Sequence, residues 1–142
     1  MMMGAWSETN FGNDDALDWI FELEKSKGLN VLIAPINDVL NDDDYIESPL
    51  CSEALAASEV IAANQTQNFS VIPDEAKVWL NKKQGFIFGK LPKIEPSHAI
   101  KAQAAVNKIV NNSELKELWE ETEDYSKWLK IQNHLLAQLK CV

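Results

Sequence analysis

The side chains with the widest chemical reach in this sequence are its carboxylates, grouped as Asp14/Asp15/Asp18, Glu53/Glu59 and Glu114/Glu117/Glu120/Glu121. Carboxylates three or four positions apart share one face of a helix. Such a pair can divide acid and base duties in a hydrolase, provided its surroundings hold the two pKa values apart. The plainer reading is a solvated face, favoured near a helix N-terminus by the macrodipole. Glu117, Glu120 and Glu121 fall toward the end of their predicted helix, where the macrodipole opposes them, so this group asks for another explanation.

Other chemistries find less support. The acidic loop Asn37–Glu47 (NDVLNDDDYIE) is the natural place to look for calcium. An EF-hand needs oxygen ligands at positions one, three and five, Gly at six and Glu at twelve. Starting at Asp42 brings Ile46 to position five, and starting at Asn41 brings Tyr45 there, with no Gly in either register. His98 and His134 stand apart, outside any metal-binding spacing. There is no GxSxG elbow, no phosphate-binding Gly cluster, and neither Cys51 nor Cys141 lies in a reactive motif. No catalytic residue, metal or cofactor is expected.

Charge narrows the partners. Twenty-two acidic residues face 13 basic ones for a net charge of -9. Every basic residue is Lys, so the side chain best suited to bidentate phosphate and guanine contacts is missing. Nucleic acid and anionic membranes are therefore poor partners. The charge is also uneven. Residues 1–64 carry thirteen acids and two Lys, whereas 65–110 carry seven Lys and three acids. Two distant cysteines, no signal-peptide pattern and no apolar run of ~20 residues lead to the expectation of a cytoplasmic protein with reduced thiols.

The elements that must position these groups read as helices. Asn13 can cap a helix that has Asp14, Asp15 and Asp18 in its first turns and ends at Gly28. In it Leu17, Ile20, Phe21 and Glu24 share a stripe beside Trp19 and Leu23. Residues 29–40 fit a helical face, although Val31-Leu32-Ile33 also suits a short strand and Pro35 is costly beyond a first turn. Ser48-Pro49 opens an Ala-rich helix with the hydroxyl as its cap. Further helices are predicted from Pro73 to about Lys82, from Ser97 to Val110, after Ser113, and from Thr122 to the end. Gly85–Pro96 reads as a loop with a short extended Phe86-Ile87-Phe88. The expected fold is mainly α: residues 1–142 as a single compact multi-helix domain of six or seven short helices, with little or no β.

Three stretches together resemble a known family. Gly4-Ala5-Trp6 with FGNDDALDWIFELE, SEALAASEVIAA (Ser52–Ala63) and SELKELWEETEDYSKWL (Ser113–Leu129) are similar to a bacterial family known only as domain of unknown function 4259. The resemblance covers essentially the whole chain and implies a small helical protein, with no established activity or cofactor. Trp6, Asp14, Asp15, Asp18, Trp19, Glu53, Glu59, Glu114, Glu117, Trp119, Glu120 and Glu121 fall in the shared motifs. Where family members continue GAW with a Gly-Thr-Gly-like turn, this chain has Ser7-Glu8-Thr9.

The leading expectation is a non-enzymatic interaction protein, of the immunity or antitoxin kind, whose acidic surface meets a basic toxin domain. Asp38, Asp42, Asp43, Asp44 and Glu47 are the expected contacts, supported by Asp14 and Asp15. The alternative is a small hydrolase or cation-binding enzyme in which Glu53 and Glu59 meet the Asp14–Asp18 region. A third reading leaves the acidity to solubility alone. Buried carboxylates converging in a cleft would favour the enzyme or cation site, and carboxylates spread over a convex face would favour the partner surface.

Overall fold

The computed structural model describes residues 7–85 and 93–140, without the side chains of 83–85. Trp6, Cys141 and the Phe86-Ile87-Phe88 segment lie outside the described residues. Seven helices follow one another: α1 (Asp14–Lys25), α2 (Asn30–Asn41), α3 (Ser48–Thr66), α4 (Asp74–Gly85), α5 (Pro96–Asn111), α6 (Glu114–Glu120) and α7 (Tyr125–Lys140). No strand occurs among the described residues, in line with the mainly α expectation.

α3 is the axis of the molecule. Every residue from Ala54 to Ala63 is buried, so this helix has no solvent face over ten positions. That accounts for its alanines: small side chains let α1, α2, α5, α6 and α7 approach it from different sides. Cys51 is fully buried in the same core, and burial pushes its thiol up to about 11.

Local chemistry sets the helix ends. Asn13 Oδ1 accepts from the Ala16 amide at 2.8 Å and caps α1. At the start of α3 the expected Ser48 cap is replaced. Glu47 is the N-cap residue and makes no side-chain cap bond, Ser48 is already helical, and its amide donates to Glu114 Oε1 at 2.7 Å. The Glu114 amide in turn donates to Ile46 O at 3.0 Å, so the starts of α3 and α6 hold each other. Gln65 and Gln103 both donate to the Leu139 carbonyl, closing the end of α7.

α1 and α2 depart from the sequence reading in instructive ways. The buried stripe of α1 is Ala16, Trp19, Ile20 and Leu23, whereas Phe21 is 52% exposed. Phe21 lies off the stripe because the core wraps the Trp19 side of the helix. α2 is helical throughout, with Pro35 in its interior. Proline has no amide to donate to the carbonyl four residues back. That carbonyl belongs to Val31, and it accepts from the Trp19 indole Nε1 at 3.3 Å. Trp19 thus supplies from α1 the donor that Pro35 withholds from α2. In the same way Trp79 of α4 donates to Ser26 O at 3.1 Å, binding α4 to the end of α1.

A carboxylate groove between three helices

α1 and α2 each turn one ridge toward a shared groove. On α1 the ridge is Asp18, Trp19 and Glu22; on α2 it is Val31, Ala34, Pro35 and Asp38; Glu53 of α3 completes the lining. Both ridges follow helical spacing, so the sequence places these residues once the two helices pack side by side. The groove encloses about 260 Å³, close to the ~300 Å³ lower end of small-ligand sites. Trp19 and Pro35, already tied through the Val31 carbonyl, form its apolar wall.

Its electrostatics are one-sided. Burial raises the Glu53 carboxyl above its ordinary value, and the negative charges of Asp15, Glu22 and Asp38 raise it further. Asp15, one turn before Trp19, is raised by burial and by Asp18 and Asp14. Among the described residues none of Asp15, Asp18, Glu22, Asp38 and Glu53 accepts a hydrogen bond or joins an ion pair; the three ion pairs there, Lys77–Asp74, Lys116–Glu120 and Lys127–Asp124, all lie elsewhere. No group of three His, Cys, Asp or Glu among the described residues is arranged to hold a metal ion. The carboxylates line the groove's length instead of meeting at one point.

Glu53 and Glu59, expected to act together, part company. Glu53 meets the α1 acids as the cleft reading requires. Glu59, six positions later, enters the core, where Asn10 Nδ2 donates to its Oε2 at 3.0 Å. Asn10 and Gln132 pair reciprocally, Nδ2 to Oε1 at 3.0 Å and Nε2 to Oδ1 at 2.8 Å. Burial pushes the Glu59 carboxyl up to about 7.

The α6 acids serve the fold. Glu114 caps α3, Glu117 accepts from the Tyr45 hydroxyl, and Glu120 pairs with Lys116 at 2.8 Å. Glu114 and Glu117 lie in the first turn of α6, where the macrodipole favours them, so only Glu120 and Glu121 occupy the unfavourable end. Glu121 is exposed and Trp119 is buried in the core. Of the acidic loop, Asp42 ends α2 and its side chain accepts from the Asp44 amide at 2.9 Å. Asp43, Asp44 and Glu47 are exposed, as is Asp14. Lys108 of α5 donates to the Val39 and Asp42 carbonyls, closing the α2 C-terminus.

Sequence reasoning missed Glu22, Asn10 and Gln132. Glu22 was findable: Asp15, Asp18, Trp19 and Glu22 have the i, i+3, i+4, i+7 spacing of one face. Gln132 interrupts the apolar stripe of Trp128, Leu135, Leu136 and Leu139, a pattern that marks a buried polar group.

No curated protein and no solved structure matches the chain. The family model described as domain of unknown function (DUF4259) matches residues 4–130. That span takes in all three shared stretches, the groove and the buried Asn10–Glu59 pair, and the chain belongs to that family.

Proposed function

We propose that this protein is a binding module whose α1–α2–α3 groove receives cationic side chains of a basic protein partner. A single observation carries the reading: five carboxylates in and beside one concave site have no compensating partner within the described residues. Like charges crowded together cost stability, and a Lys or Arg side chain laid along the groove relieves that cost. Trp19 offers its aromatic ring to the same side chain. Asp38 leads directly into Asp42, Asp43, Asp44 and Glu47, which extend the negative field toward a larger surface and speed encounter.

The partner that best fits this chemistry is a basic toxin domain, with this chain in the immunity or antitoxin role. The small acidic chain and the absence of any metal-binding cluster among the described residues support that choice. The concave site also favours a second reading, a small cation-binding enzyme, because raised carboxyls in a cleft are what acid–base work needs. Calorimetric titration with the product of the adjacent gene tests the first. Binding that weakens steeply with salt and is lost in Asp38→Asn/Glu53→Gln supports it. Salt-insensitive binding, or none, removes it.

A further inference from the structure

Segment 7–13 crosses the core as a strap without regular structure. Ser7 Oγ bonds Thr9 Oγ1 at 2.7 Å and the Gly12 amide donates to Thr9 O at 3.1 Å, so the strap is a self-bonded turn. Gly12 lets the turn pack closely: a Cβ there would lie 2.0 Å from Ser7 Oγ and displace that side chain. The strap's polar anchor to the core is Asn10, held by Glu59 of α3 and Gln132 of α7. Beneath it lies a cavity of about 20 Å³ lined by Asn10, Ser52, Leu55, Trp119 and Trp128, room for about one water. Ser52 of α3, 5% exposed, borders the cavity.

We infer that the strap is a proton-controlled cover: it is latched over the α3–α6–α7 core while Glu59 is neutral and lifts when Glu59 is charged. A neutral carboxyl still accepts from Asn10 Nδ2 through its carbonyl oxygen and carries no charge to be solvated. A charged one at 5% exposure has one neutral donor among the described residues, far less than water supplies. Lifting the strap is the short route to hydration, because it opens the small cavity and frees Asn10 together.

Among the described residues the groups bonded around Glu59, Asn10 and Gln132, are uncharged. α1, α2, α5, α6 and α7 pack on α3. Burial raises the carboxyl and the Asn10 bond opposes it; none of the charged groups on those helices or on the strap, Glu8, Lys108, Glu114 and Lys130 among them, is among the causes. The carboxyl is raised from 4.5 to about 7. The folded state therefore holds a proton that the unfolded chain releases between those values. Stability from this group is full below pH 4.5, falls as pH rises to about 7, and falls no further above it.

Amide hydrogen exchange of the full chain at pH 5.5 and 8.5, corrected for intrinsic rates, reads the latch. Protection of residues 7–13 should fall at least ~10-fold at the higher pH while α5 stays protected. Glu59→Gln should abolish the difference, and Asn10→Ala should leave the strap open at both pH values. Strap protection that is equal at both pH values in the wild type overturns the inference. So does a pH difference that survives in Glu59→Gln. The wild-type result decides the matter even if a variant fails to fold.

Discussion

The groove and the α6 side of the molecule use the same residue types in opposite ways. Around α6, each of Glu114, Glu117 and Glu120 has a partner: a helix N-terminus, a tyrosine hydroxyl and a lysine. Glu59 behaves likewise in the core, held by Asn10. In and beside the groove, Glu53 is raised by Asp15, Glu22 and Asp38, and Asp15 by Asp18 and Asp14, with no such partner among the described residues. A carboxylate that satisfies its own fold is explained by the fold. The groove carboxylates have no such account within the described residues, and the proposed cationic partner rests on that difference.

This contrast can be broken by substitution, and the partnered side should yield the larger losses. Asn10→Ala strips Glu59 and Gln132 of their common partner in the core. Two buried polar groups left unsatisfied should cost about 2–4 kcal/mol, read as a lower urea midpoint. Trp19→Phe keeps the ring but removes the donor to the Val31 carbonyl, for an expected loss of about 1–3 kcal/mol. Adding Pro35→Ala restores a backbone donor to that carbonyl. The double variant should therefore lose less than the two single changes together, and simple additivity would contradict the pairing.

Glu114→Ala removes the carboxylate at the α3 N-terminus and should cost about 1 kcal/mol, while exposed Glu121→Gln should stay within about 0.5 kcal/mol of wild type. In the groove the sign reverses. Glu53→Gln relieves repulsion and should raise the thermal midpoint at low salt by the equivalent of up to ~1 kcal/mol, a gain that added salt erodes. A Glu53→Gln loss as large as that of Glu114→Ala would erase the distinction between the two regions.

The sequence carried the helices because their signals are local. Asn13, the carboxylates after it and the i, i+3, i+4 apolar stripes were legible, and α2 was legible despite Pro35. Why α2 tolerates Pro35 was not, since the compensating donor sits on α1. The Ser48 cap was misread for a similar reason: its place is taken by Glu114, sixty-six positions away. Glu53 lies within the field of Asp15 and Glu22 of α1. Glu59 was misassigned because its partners, 49 residues upstream at Asn10 and, through Asn10, at Gln132, exist only after folding. Charge runs mark where acids are, and tertiary contacts decide which of them are already satisfied.

The most direct test of the groove as a cation site is a nitrogen-15 NMR titration with a tetra-arginine peptide at low and high salt. The expected result is saturable shifts centred on Asp18, the Trp19 indole, Glu22, Asp38 and Glu53, absent in Asp38→Asn/Glu53→Gln and suppressed by salt. Shifts centred instead on Asp42–Glu47 or on α6, or shifts that persist in the double variant, would contradict it.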